Sequence, residues 1–229
     1  MRRTSLALLL AVTTATATTV AAPARSAEVP VPRTYGDAMR WYRDAARAGD
    51  PKAMFYLGLT LEQGLQDSPR PHEAAEWYRR SAEAGFALAQ FKLGVLHQTG
   101  QSVPQDAAKA RGWYEKASDQ GMAAARYNLA VLVEAGAGGP ADAARAAALY
   151  RDAARMGVDE AYLNLGNLYA RGEGVPADAV EALSWLILAT EAGIEGAEEL
   201  RQSVDSVLND DERARAKDAA ERWKADRDR

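Results

Sequence analysis

The nearest approach to an enzyme signature in this chain is His72-Glu-Ala-Ala-Glu76. On a helix it sets His72 and Glu76 one turn apart, as in a zinc protease, but glutamate stands where the second histidine belongs. A catalytic zinc needs three aligned protein ligands. The other histidine, His97, falls in a register that elsewhere holds apolar residues or tyrosine, so it reads as a half-buried core residue. Ala74, inside the motif, reads as a packing position with charged residues on the exposed turns around it. Gly172-Glu-Gly-Val-Pro-Ala177 has the glycines of a phosphate loop, yet it follows a helical segment and not a strand. No Gly-x-Ser-x-Gly is present, and no serine is followed three residues later by lysine, so the common serine-hydrolase signatures are absent. The many carboxylate pairs fall on helix surfaces and read as solvated charge. No catalytic, cofactor-binding or metal-ligating residue is assigned, and no cofactor is expected.

What organises the chain instead is a spacing of 36 residues. Gly49, Gly85, Gly121, Gly157 and Gly193 keep it, as do Ala53, Ala89, Ala125, Ala161 and Ala197. Trp41-Tyr42, Trp77-Tyr78, Trp113-Tyr114, Leu149-Tyr150 and Trp185-Leu186 form a third series, and Gly64, Gly100, Gly136 and Gly172 a fourth. A fixed period of this length is the mark of stacked helix pairs, each burying its apolar face against its neighbours. The composition has no alternating Val, Ile or Thr runs, so the fold class is all-α: a superhelical α/α solenoid of about five antiparallel helix pairs.

Residues 1–24 are of another kind. Arg2 and Arg3 precede the apolar run from Leu6 to Val12, an Ala/Thr stretch follows, and small residues offer cleavage sites up to position 27. This is the plan of a secretory signal peptide. Residues 25–33 read as a linker, 34–208 as the repeat array and 209–229 as a charged capping helix. Absence of cysteine suits an oxidising compartment. The net charge is −4, and losing Arg2 and Arg3 with the leader takes it to −6. That balance opposes nucleic-acid partners, which want a basic face, and no segment of the mature chain is long and apolar enough to span a membrane.

Within the array, Ala38, Trp41, Tyr42, Ala45 and Ala46 fall on one helical face, ended by Gly49. Asp50-Pro51 restarts the chain as cap and first helical residue. Gly58, Gly94, Ala130 and Gly166 sit inside helices, where glycine costs roughly 1 kcal/mol against alanine. Their repetition predicts close approach of the paired helix, its aromatic ring lying over bare backbone. Asn209 and Glu212 look like a capping pair for the last helix.

Set side by side, Ala161-Tyr-Leu-Asn-Leu-Gly through Gly172-Glu-Gly-Val-Pro-Ala-Asp178 and Ala182-Leu-Ser-Trp-Leu186 resemble the Sel-one-like repeat, a longer-period relative of the tetratricopeptide repeat. Ala89 through Gly94 with Asp106 through Ala117 resembles it too. The resemblance covers roughly residues 35 to 208. It implies a superhelix of helix pairs used as an adaptor or scaffold, with no shared catalytic residues, often in bacterial envelope proteins. It also implies that the first helix of each pair lines the concave side. There the spacing aligns Tyr56, Leu59 and Gln63; Lys92, Val95 and Thr99; Asn128, Val131 and Ala135; and Asn164, Asn167 and Arg171. Asparagine can bond both the N–H and C=O of an extended peptide, and Lys92 and Arg171 suit acidic groups. The expected function is a non-enzymatic periplasmic or secreted scaffold. Tyr56, Gln63, Lys92, Thr99, Asn128, Asn164, Asn167 and Arg171 would form its groove for a protein or peptide partner, with an envelope sensor or assembly protein as the partner class. A monomer is expected. The competing expectation is a cell-envelope hydrolase or wall-binding protein on the same solenoid.

Overall fold

A computed structural model describes residues 35–64 and 68–227 of the 229-residue chain. The expected leader and linker lie outside the described residues, as do Thr34 and part of the first loop. Among the described residues there are eleven α-helices and no strand. They are α1 (Tyr35–Arg47), α2 (Pro51–Gln63), α3 (Pro71–Glu83), α4 (Ala87–Thr99), α5 (Ala107–Asp119) and α6 (Ala123–Glu134). Then follow α7 (Ala143–Arg155), α8 (Glu160–Arg171), α9 (Ala179–Glu191), α10 (Ala197–Asp205) and α11 (Asp210–Arg227). Helices α2/α3, α4/α5, α6/α7 and α8/α9 are four full pairs. Helices α10 and α11 stand in the register of a divergent fifth unit, and α1 stands as a second helix before the first pair. Each helix up to α9 packs on the next in sequence, and α10 and α11 both fold onto α9.

The helix starts follow from single side chains. Asp50 accepts from the Ala53 N–H at 2.7 Å, Asp106 from Lys109 N–H at 2.9 Å and Asp142 from Arg145 N–H at 2.9 Å. Asp178 caps α9 in the same way. Each satisfies a backbone donor that the first helical turn leaves open. Asn209 and Glu212 form the reciprocal capping pair, each side chain accepting from the other's backbone N–H.

The alanine series Ala53, Ala89, Ala125, Ala161 and Ala197 is wholly buried, which lets neighbouring helices approach closely. One buried row was not foreseen: Thr60, Leu96, Leu132 and Leu168, seven residues after those alanines. Helix α1 also departs from expectation. Trp41 is exposed, whereas Met39 is 3% exposed and carries the burial with Ala46. The reason is position in the stack. Trp113 on α5 packs against the apolar cluster of α1–α4, and Trp185 on α9 is buried within the cluster that runs from α5 to α11. Trp113 thus has a preceding pair to pack on and Trp185 has helices on both sides, whereas the described residues hold no helix before α1.

At the other end, Trp223 on α11 meets Trp185 edge-on, ring centroids 4.5 Å apart. The mixed charges of α11 occupy its outer faces: Lys224 bridges Glu191 at 2.9 Å and Glu221 at 2.6 Å.

Candidate functional site

Gly58 and Gly94 lie under an aromatic ring, as their spacing predicts, whereas Gly166 lies under a leucine and alanine takes the slot at Ala130. A Cβ on Gly58 would lie 2.8 Å from Tyr78 Cε1, and one on Gly94 would lie 2.5 Å from Tyr114 Cδ1. On Gly166 it would meet Leu186 Cγ at 2.6 Å. The second-helix side chain therefore rests on bare backbone, which draws the two helices of a pair together.

The tyrosines that fill these slots also carry a polar end. Tyr78 donates its hydroxyl to Glu62 Oε2 at 2.8 Å. Tyr114 donates to Gln98 Oε1 at 2.6 Å, and Tyr150 to Glu134 Oε2 at 2.6 Å. Burial, reinforced by the Glu62 and Glu134 carboxylates, pushes the Tyr78 and Tyr150 phenols far above their ordinary range. Burial pushes Tyr114 up to about 12, a hydrogen bond with Asn128 acting the other way. All three hydroxyls are thus neutral donors at physiological pH and unsuited to nucleophilic work. Glu62, Gln98 and Glu134 were missed as partners. The available signal was a tyrosine 16 residues after an acid or amide in three successive units, with both lost together at Ala170 and Leu186.

The expected groove residues lie along the half-exposed side of α2, α4, α6 and α8, and they divide into two kinds. One row stitches each pair to the pair before it. The Tyr56 ring lies 5.4 Å from that of Tyr42 on α1. Lys92 Nζ is 2.9 Å from Glu62 Oε1 and lies over the Tyr78 ring. Asn128 reaches Tyr114, and Asn164 Nδ2 donates to the Tyr127 hydroxyl at 3.2 Å. The other row is the outer edge: Gln63, Thr99, Asn167 and Arg171. Thr99 donates its hydroxyl to the Val95 carbonyl at 2.9 Å, and Arg171 pairs with Glu173 at 2.5 Å. Lys92 and Arg171 each already have an acidic neighbour in the chain.

The residues of the protease-like motif are placed otherwise. His72 Nδ1 lies 3.0 Å from the Ser102 carbonyl oxygen, which ties the next unit's loop to the start of α3. Glu76 pairs with Arg79 at 2.9 Å. His97 is half-buried, its Nδ1 3.2 Å from the Pro104 carbonyl oxygen. The loop that mimicked a phosphate loop packs instead on the start of α7, where a Cβ on Gly174 would fall 2.1 Å from the Ala143 carbonyl carbon. Among the described residues, no helix is long and apolar enough to cross a membrane.

Known proteins agree with this architecture. The Sel1 repeat model matches residues 30–50, 51–86, 87–122, 123–158 and 159–194 in unbroken succession. The crystal structure of a Sel1 repeat protein from Oxalobacter formigenes is similar at 31% identity and a TM-score of 0.68, over 73% of this chain and 69% of that one. A protective antigen present in uropathogenic Escherichia coli strains, c5321, displays an SLR fold. It is 27% identical with a TM-score of 0.53, over 84% of this chain and 49% of its own, so this chain spans about half of it. No curated protein matches. Sel1 repeats generally serve as protein-interaction scaffolds and not as enzymes. The repeat matches, the stacked helix pairs and the glycine slots that seat the second helices agree, and the chain belongs to the Sel1 repeat family.

Proposed function

We propose that this chain is an exported scaffold of the bacterial periplasm that binds a protein, or an extended segment of one, along the stripe from Tyr56 to Arg171. An envelope sensor or assembly protein is the partner class. The observation that carries this reading is the half-exposed first-helix side, where four successive helices present polar side chains along one stripe, Tyr56, Lys92, Asn128 and Asn164 in one register and Gln63, Thr99 and Arg171 in another. Rows of that kind suit a peptide whose own N–H and C=O groups repeat. The inner row is held by bonds within the chain, so it presents a pre-ordered bed, and ordering it costs a partner little. The leader-like residues 1–24 support export.

In-cell crosslinking of the full-length chain, with mass spectrometry of what it captures, tests the reading. Two variants run beside it. One carries Gln63→Ala and Asn167→Ala, which leave the inter-pair bonds of the bed intact. The other carries Lys92→Glu, Asn164→Ala and Arg171→Glu, which break two of those bonds. Capture of one envelope protein, weakened in both variants, is the expected result. Equal capture by wild type and both variants would place binding on another face and end the groove assignment.

A further inference from the structure

The repeats show how a cleft between successive second helices is closed. Val103, of Ser102-Val-Pro104, packs against the cluster of α1–α4, and Val175, of Gly174-Val-Pro176, against the cluster that runs from α5 to α11. In the α6–α7 loop Gly139 takes the valine's register. The filling there comes from the helix: a Cβ on Gly139 would lie 2.7 Å from Arg111 Nη1. Arg111 shares its register with Ala75 and Ala147, so the helix residue is small where the loop brings valine and long where it brings glycine.

The final cleft breaks this rule. Residues 206–209, Ser-Val-Leu-Asn, join α10 to α11 without a Val-Pro pair. Leu208 shares an apolar cluster with Leu183, and a cleft of about 340 Å³ stays open beside Ile187 and Thr190, with Arg201, Lys217 and the carboxylates Glu191, Asp205 and Glu221 on its walls. Asp205 is held by Arg213 and Glu191 by Lys224. Its polarity is inverted relative to the other units. Ile187 stands in the register of Arg43, Arg79, Glu115 and Arg151, while Arg201 stands in that of Leu57, Leu93, Leu129 and Leu165. Arg201 is paired with Glu198, and Glu221 with Lys224. Lys217 has no ion-pair partner among the described residues.

Two further Val-Pro pairs exist in the chain, Val29-Pro30 and Val31-Pro32. Glu28-Val-Pro-Val-Pro-Arg33 lies outside the described residues, and its Val31-Pro32 falls on the 36-residue register of Val103-Pro104 and Val175-Pro176. We propose that the α9–α10–α11 cleft takes the Glu28–Pro32 segment of a second copy, head to tail, a valine against Ile187 and the Glu28 carboxylate toward Lys217. The segment cannot serve its own chain. Val31 is four residues from Tyr35, at most about 14 Å of extended chain. Four helix pairs separate α1 from α9, roughly 30–40 Å at ordinary helix spacing. Such a contact joins two different surfaces, so it propagates instead of closing on itself as a two-fold dimer does.

Sedimentation velocity of the purified chain across a concentration series tests this. The wild type is expected to sediment faster as concentration rises. The variant Val29→Asp with Val31→Asp loses the segment, Ile187→Glu loses the cleft, and each alone stays at the monomer value. Mixed in equal amounts they retain one intact segment and one intact cleft, so the mixture stops at the dimer. Lys217→Glu weakens association roughly tenfold, and Glu28→Lys in the same chain restores it, which keeps the test decisive should Ile187→Glu fail to fold. A wild type that sediments as one monomeric species at every concentration overturns the proposal. So does association that survives loss of the segment or of the cleft, and so does a cleft that takes only an unrelated peptide.

Discussion

The first three helix pairs and the fourth solve the same packing problem with different chemistry. In α2/α3, α4/α5 and α6/α7 a tyrosine fills the slot over the first helix and anchors its hydroxyl on Glu62, Gln98 or Glu134. In α8/α9 the slot over Gly166 is filled by Leu186, and the position of the anchor is Ala170. Filling is kept and anchoring is dropped as a unit. A buried phenol without a partner costs about 1–3 kcal/mol, so neither half of the pair is useful alone. Helix α9 is covered by α8, α10 and α11, and an apolar residue suits that enclosure. The comparison separates two tasks that one repeat position can carry.

Substitution in the slot should have the largest effect. Gly94→Leu is expected to cost about 3 kcal/mol or more, since the buried Tyr114 ring leaves no room even for a methyl. Gly166→Ala meets the flexible Leu186 side chain, with the Ala182 carbonyl oxygen at an ordinary contact distance of 3.4 Å, and should cost about 1 kcal/mol. Denaturant midpoints measure both, and an unchanged melting temperature in Gly94→Leu would refute this packing.

Next come the anchors. Glu62→Leu strands the Tyr78 hydroxyl and frees Lys92, a loss of about 2 kcal/mol. The reverse experiment installs the anchor in the fourth pair. Ala170→Gln and Leu186→Tyr should each destabilise, and together recover about 1 kcal/mol of coupling. Additive losses in that cycle would show that the three-unit motif is not a transferable pair.

The anchors also set a pH limit. The folded pKa of the three tyrosines is raised, so the stability they contribute is complete below pH 10, where the unfolded phenol begins to ionise. It is lost as pH rises toward the folded value, about 12 for Tyr114. Melting temperature should therefore fall between pH 10 and 12, less steeply in Tyr114→Phe. A slope identical to wild type would remove Tyr114 from the account. The smallest effect belongs to Lys92→Met. Its ion pair with Glu62 is about 30% exposed on both sides, and such pairs contribute about 0.5 kcal/mol; a loss above 2 kcal/mol would make the inner row a structural element of the core.

Much of this was legible before any coordinates. Helix ends could be read from Asp50-Pro51, Asn209 with Glu212 and the lattice glycines, because capping depends on residues adjacent in sequence. The tight slots could be read because a glycine repeated inside helices demands a cause. Met39 could not be told from Trp41 as the buried residue of α1, since that depends on which neighbours surround the helix. Nor could Lys92 be placed against Glu62, because a half-exposed cation on a stripe looks the same in sequence whether it is paired or open.

The 36-residue register, read from the sequence by itself, determined the fold class, the order of the helices and the buried alanine and glycine rows of the first helices, since periodicity is a local property that stacking repeats. Only the tertiary structure decided which polar side chains meet across units, how Arg111 compensates for Gly139, and that the final cleft stays open. Those outcomes depend on distances between residues some 16 to 36 positions apart, and packing, not pattern, sets such distances.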